Sequence, residues 1–241
     1  MHAIVLREFG PPGVLRLEAV ADPDPAAGQL RIAVTAAGVH RIDAWIRAGI
    51  ESPATLPLPA LPWIPGREVA GVVDAVGPGV DPGWLGRRVV AHLGPAGGGY
   101  AERAVCGEDA ALVIPERVGD DVAVAMIGTG RTALGVLDVA RVEAEDVVLV
   151  TGAAGGVGSL LVQHLHRVAG ATVIAAVGGA AKVEHAREDG ADVVLDYDEP
   201  EWTRAVRAAL GDRDVSVVLD GVGGRMGRDA FELLGAGGRF V

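Results

Sequence analysis

Four glycines fall within seven residues of the segment VVLVTGAAGGVGSLLVQ, Val147 to Gln163: Gly152, Gly155, Gly156 and Gly158. The dinucleotide fingerprint G-x-G-x-x-G is not met strictly, because Ala153 stands at its first glycine. Gly155 and Gly158 fill the second and third places. A glycine at the second place lets the backbone approach a pyrophosphate, and one at the third lets the following helix lie close on the strand. The amides at that helix's N-terminus then aim donors and partial positive charge at phosphate oxygens. About twenty residues further on, an NAD enzyme places Asp or Glu at the end of the second strand to bind the adenosine ribose. Here that strand ends AAVGGAAK, with Val177, Gly178 and Gly179 and no acid. Lys182 follows within reach of a 2′-phosphate, which favours NADP(H). A solvated lysine on the first turn of a helix is the plainer alternative.

Glycines do this chemistry only where they close a strand and open a helix inside a βαβ unit. The chain after residue 120 has that form. Strands 147–152, 171–177, 191–197, 215–220 and 238–241 alternate with helices 156–169, 180–189, 199–210 and 225–234. Helical stretches of ~10 to 15 residues between strands signal a parallel sheet. Another helical run, VAVAMIGTGRTALGVLDVA, precedes them, with Gly128 and Gly130 expected to break its start. In a doubly wound sheet of order 3-2-1-4-5-6, the last residue of this sequence falls inside the fifth strand, whose outer edge is then open to pairing.

Before residue 120 the chain is rich in Pro and Gly. Short β-like runs recur there: HAIVL, LRIAVTAAGV, EVAGVVDAVG, RRVVAHL and YAERAVC. Such strands with frequent turn signals predict a compact β-rich domain. The Pro-rich segment 52–65 is expected as a surface loop. The expected division is therefore a β-rich domain over 1–119 and a dinucleotide-binding domain over 120–241.

Half of the 241 residues are hydrophobic and 22% are charged, a profile that folds rather than stays disordered. No run approaches the roughly 18 to 20 uninterrupted apolar residues of a membrane helix. The N-terminus reaches Arg7 and Glu8 after four apolar residues, too few for a signal peptide, so a cytoplasmic location is expected. A formal charge of −11 argues against nucleic acid as a partner. The single cysteine, Cys106, excludes an internal disulfide and a multi-cysteine zinc site, and is expected as a small apolar strand residue.

Taken together and in order, several segments resemble the zinc-independent quinone oxidoreductase (zeta-crystallin-like) branch of the medium-chain dehydrogenases/reductases. They are AAGVHRIDAWIRAG (36–49), IPGREVAGVVDAVGPGV (64–80), GRRVVA (86–91), GGYAERAV (98–105), TALGVL (132–137), VLVTGAAGGVG (148–158) and GADVVLDY (190–197). The resemblance implies a GroES-like, β-rich substrate domain followed by a Rossmann domain. It places Thr132 near a nicotinamide and Gly155, Gly156, Val157 and Gly158 beside the pyrophosphate. Gly178, Lys182 and Tyr197 would hold the adenosine phosphate end, and Gly221 and Val222 of DGVGG would form the loop that the cofactor passes. Tyr197 could equally be a half-buried aromatic at a strand end. The family's homodimer is built through the sixth strand, which lies outside this sequence.

Zinc-dependent relatives carry Cys and a His-Glu pair at positions where this chain has His40 and Arg67-Glu68, and the four cysteines of their structural zinc lobe are absent. His40, Glu68 and Asp43 could in principle ligate a metal, but Arg67 at the central ligand position would repel one, so no metal is expected. Within the quinone reductase branch, Asp43 matches, whereas His40 replaces the usual Asn and Trp45 the usual Tyr. His40 and Asp43 are the catalytic candidates, His being the side chain whose charge changes near neutral pH. The plainer alternatives are a packed histidine and an Asp43–Arg47 pair on a short helix. The resemblance implies an NADPH-dependent reductase of a quinone or an α,β-unsaturated carbonyl compound. A silent NADP(H)-binding protein and an enoyl-reductase module of a larger biosynthetic system stay open beside it.

Overall fold

Alternation of buried and exposed residues makes antiparallel sheet of the Pro- and Gly-rich half of the chain. A computed structural model describes residues 1–51 and 57–241, which form two compact units, Met1–Gly128 and Thr129–Val241. In the first unit, β1 (His2–Leu6) pairs with β2 (Leu15–Ala19). Next come β3 (Gln29–Ala37), α1 (Arg41–Ala48), β4 (Glu68–Val76), β5 (Arg88–His92), β6 (Arg103–Gly107), β7 (Ala111–Val113) and α2 (Asp120–Ala125). The five longer-range strands form one sheet in the order β6-β3-β4-β5-β7. Leu30, Ile32, Val69, Val73, Val89, Ala91, Ala104 and Cys106 bury one of its faces. On the other, Ala70 and Val90 meet Ala123 and Val124 of α2. Burial, with the nearby charge of Asp109, pushes the Cys106 thiol up to about 11, so it is a core residue and not a nucleophile at neutral pH. Strands β2 and β7 are additions to the sequence reading. Of the expected loop 52–65, residues 52–56 lie outside the described residues. The rest is irregular, apart from a bridge between Trp63 and Leu6.

The helical run that opens at α2 does not break at its glycines. It continues through a π turn, Met126–Gly130, into α3 (Arg131–Ala140). A π turn accommodates one extra residue per turn, so glycines widen the helix here instead of ending it. The 21-residue run 120–140 has the length and apolar content of a membrane span. Its first half is tied into the sheet instead. Asp120 accepts from Arg88 Nη2 at 2.5 Å, Arg88 Nε at 3.1 Å and the Thr35 hydroxyl at 2.5 Å.

In the second unit the expected alternation appears. It runs β8 (Val147–Thr151), α4 (Gly156–His164), β9 (Thr172–Val177), α5 (Val183–Glu188), β10 (Val193–Asp196), α6 (Trp202–Leu210), β11 (Val215–Asp220), α7 (Gly224–Phe231) and β12 (Leu234–Phe240). All pairings are parallel and the order is β10-β9-β8-β11-β12, the expected 3-2-1-4-5. Both faces of a parallel sheet are covered, so its strands are continuously apolar. Val148 and Val150 of β8 point into one core and Val147 and Leu149 into the other. The fifth strand departs from expectation. Helix α7 ends at Phe231 and β12 starts at Leu234, with a register shift against Val215–Val217. Its glycines, Gly235, Gly237 and Gly238, hide a strand that Arg239 fastens to Asp146.

Hydrogen bonds from Thr35 and Arg88 hold the Asp120 carboxyl below the usual carboxylate range. A group whose folded pKa is depressed adds stability above its unfolded pKa, and loses it as pH falls through the folded value. Asp120→Ala is therefore expected to cost about 1.5–3 kcal/mol at pH 7 in urea unfolding. The gap between variant and parent should close progressively below about pH 4.

Candidate functional site

Two groups of candidate residues can be built from their elements upward, one in each unit. In the second unit, strand order reverses between β8 and β11, where open α/β sheets form a crevice beyond their carboxyl ends. The Thr151 hydroxyl donates to Asp220 Oδ1 at 2.5 Å and accepts the Gly221 amide at 3.2 Å, locking these two strand ends together. The Asp220 carboxylate also accepts the amides of Val222 and Gly223 at 3.1 Å each, which folds the loop 221–223 back on itself. Gly221 and Val222 are exposed on it.

The glycine loop lies beside this lock. The Gly155 amide donates to the Gly152 carbonyl at 2.8 Å, and the Gly155 carbonyl accepts the Ser159 amide at 2.8 Å. The amides of Gly156, Val157 and Gly158 in the first turn of α4 have no backbone acceptor among the described residues. Gly155 and Gly156 are exposed. At Gly158 a Cβ would stand 2.3 Å from the Gly152 carbonyl oxygen and 2.7 Å from Ala153 Cα, so only glycine lets the helix approach its strand. The departure at Ala153 is explained as well: its methyl is wholly buried in the core under the sheet. The exposed loop, free amides and close-packed helix fit a pyrophosphate.

At the end of β9, Val177 is wholly buried and the chain turns through Gly178 and Gly179. The Tyr197 ring lies over Gly178, where a Cβ would come within 2.7 Å of its hydroxyl. The Gly179 amide donates to Asp196 Oδ1 at 2.9 Å, as does the Asp198 amide at 3.0 Å. The carboxylate nearest this turn is thus spent on backbone amides. Lys182 is exposed at the head of α5, and Thr132 is exposed in the first turn of α3. Gly178 and Tyr197 therefore meet, while Thr132 and Lys182 are placed on separate helix starts.

In the first unit, His40 and Asp43 open α1. The Asp43 carboxylate accepts the His40 amide at 2.8 Å, the half of a capping box that ties an N3 side chain to the N-cap. Its same oxygen, Oδ2, accepts the Tyr100 hydroxyl at 2.9 Å. Burial and the Asp43 charge push the Tyr100 phenol well above its usual range, so it stays protonated. Arg47 does not pair with Asp43; its guanidinium donates to the Gly10 carbonyl at 3.1 Å. His40 Nε2 lies 2.5 Å from Glu68 Oε2, and His92 Nε2 lies 3.8 Å from Glu68 Oε1. Glu68, at 3% exposure, is among the few buried charged residues. Sequence reading weighed Glu68 only as a conceivable metal ligand beside His40 and Asp43, and passed over His92 and Tyr100 as site residues. The signal was the acid itself, standing at the start of a strand whose next five residues are apolar.

Family models match both halves: an alcohol dehydrogenase GroES-like domain over residues 26–116 and a zinc-binding dehydrogenase domain over 156–241. The chain is 33% identical over 243 residues to a quinone oxidoreductase of Rattus norvegicus, covering all of this chain and 72% of that protein. It is 36% identical to a 2-haloacrylate reductase of a Burkholderia species, over 92% of this chain and 66% of that protein. Among solved structures, it is similar to the Escherichia coli quinone oxidoreductase in complex with NADPH. There the TM-score is 0.89 and the identity 30%, over all of this chain and 72% of that one.

The packing at Gly158 sets a test. Gly158→Ala is expected to destabilise the protein by about 1–3 kcal/mol through overpacking against backbone. Lys182→Ala, on the surface, should stay within about 0.5 kcal/mol of the parent. Urea midpoints of the two variants check this directly.

Proposed function

The chain belongs to the quinone oxidoreductase family of the medium-chain dehydrogenases/reductases, and from that premise we propose that it is an NADPH-dependent reductase of quinones or α,β-unsaturated carbonyl compounds that works without zinc. The observation that carries the cofactor reading is the exposed Gly155–Gly156 turn with three free amides at the head of α4. It is followed by a second strand whose end offers no carboxylate to a ribose. The amides of Gly156, Val157 and Gly158 would take the pyrophosphate. Gly178 and Tyr197 would form the floor and wall of the adenosine end, with Lys182 as the cation for the 2′-phosphate. Gly221, Val222 and Thr132 would border the rest of the dinucleotide. The relative solved with NADPH supports this choice of cofactor.

The residues of the first unit do not fit a catalytic zinc. The one thiol is Cys106, buried in the sheet core. Arg67 carries positive charge and donates to the Gly94 carbonyl, and His40 and Glu68 are bonded to each other. Among the described residues, no three His, Cys, Asp or Glu side chains are grouped to hold a metal ion. No step is therefore assigned to zinc.

A bound reduced nicotinamide supplies a hydride to the electrophilic carbon of the substrate. The protein's share is to orient the substrate and to answer the negative charge that develops on its oxygen. His40 is the proton donor of this proposal. Asp43 sets the start of the helix that carries it, through the His40 amide and Tyr100. The 2-haloacrylate reductase among the relatives supports an α,β-unsaturated substrate.

Saturating NADPH, near 100 times its Kd, is expected to stabilise the native chain by about 2.7 kcal/mol and raise its Tm. NADH at the same concentration should do so far less, and Lys182→Ala should narrow the difference. Oxidation of NADPH followed at 340 nm with quinones and enones tests turnover. A large shift with NADH alone would overturn the cofactor reading, and NADPH binding without turnover would leave a binding protein only.

A further inference from the structure

The turns that follow β9 and β10 meet at one carboxylate. Asp196, the last residue of β10, pairs in parallel register with Val177, the last of β9. Its Oδ1 accepts two amides, Gly179 at 2.9 Å from the turn after β9 and Asp198 at 3.0 Å from the turn after β10. Gly179 sits at φ +97° and ψ +135°, and nothing lies within 4 Å of where its Cβ would be. Glycine enters and leaves positive φ with equal ease, so neither local preference nor side-chain packing holds the residue there. Its hydrogen bonds do. Asp196 takes its amide, and its carbonyl accepts the Lys182 amide at 3.0 Å. Tyr197 follows Asp196 in the chain. Its own amide donates to the Val177 carbonyl at 2.9 Å, and its ring closes over Gly178.

We propose that Asp196 is a positioning residue for cofactor choice: by fixing Gly179 it sets Lys182 and Tyr197 together around the place of a 2′-phosphate. This rests on the NADPH reading above and adds to it the group that builds the phosphate seat. Lys182 hangs on the Gly179 carbonyl, Gly178 precedes the Gly179 amide, and Tyr197 is bonded to Asp196 in the chain. A change at the carboxylate therefore reaches all three through backbone. The other role open to an acid at this end is electrostatic. A negative charge beside a phosphate disfavours it, so an acid acting through charge alone would favour NADH. The two roles predict opposite signs when the carboxylate is removed. The geometry points to the first, because one oxygen ties both turns and a carboxylate holds an amide more strongly than a neutral acceptor does.

Calorimetric binding of NADPH, NADH and 2′,5′-ADP to the 241-residue chain tests this without turnover. Asp196→Ala is expected to weaken NADPH and 2′,5′-ADP about 10-fold each, the effect of one hydrogen bond to a charged group. NADH should change far less, so the preference for NADPH falls. Asp196→Asn keeps an acceptor oxygen and should retain the parent's preference. Tighter NADPH binding in Asp196→Ala would overturn the proposal, as the result for a carboxylate that acts by charge. Equal losses for NADPH and NADH would also overturn it, as the result for a residue that only supports the fold. So would an Asp196→Asn variant that loses its preference as fully as Asp196→Ala. Should Asp196→Ala fail to fold, hydrogen exchange in the parent decides. The Gly179 amide must be protected, and exchange at the rate of an unbonded glycine refutes the lock. A parent that protects this amide yet binds NADH as tightly as NADPH would refute the NADPH reading alone.

Discussion

A carboxylate withdrawn from water governs the first unit. Glu68 stands at the first position of β4, and everything that touches it answers to its charge. Glycine is required at residues 38 and 128 because backbone must come where a side chain would otherwise be. Two imidazoles are turned with nitrogen toward its oxygens. The π turn at 126–130 brings Gly128 onto the carboxylate without ending the helix, and α2 before it is anchored through Asp120. Leaving such a group without donors would cost several kcal/mol, on the order of a whole domain's net stability. The histidines are therefore constrained in orientation.

The second unit solves a different problem, that of placing a helix terminus. A parallel sheet collects its loops at one end, and the reversal of strand order opens a gap between two of them. Thr151 and Asp220 bridge the strands that flank this gap, so the two loops that border it share one hydrogen-bond network. Donors left free at the head of α4 are a consequence of helix geometry. Their exposure beside small residues is a consequence of sequence.

The parallel sheet was readable from periodicity because its strands are uninterrupted apolar runs separated by amphipathic helices. The β-rich half was readable as a class, but its short strands β2 and β7 were not. LRLEA lies half-exposed on a two-stranded ribbon and ALV is three residues long. Strand β12 escaped because glycines in a strand look like a loop, and the expected break at Gly128 failed because a helix can widen rather than stop. At the site, the glycine loop was visible in local spacing alone. The Glu68 cluster was not, since His40, Glu68 and His92 come from three elements far apart in sequence. Likewise, Asp43 and Arg47 at helical spacing suggested a pair that Tyr100 and Gly10 dissolve. Short-range patterns predict partners only until tertiary structure offers better ones.

Quinones and enones are soft electrophiles that alkylate thiolates by conjugate addition, and a protein that turns them over meets them continuously. The only thiol in this chain is Cys106, packed in the interior of the first sheet and held protonated by burial. At neutral pH such a thiol is overwhelmingly protonated, and neighbouring strands screen it. The same core packing that makes the residue unremarkable as a catalyst thus protects the protein from covalent inactivation by the compounds it is proposed to reduce.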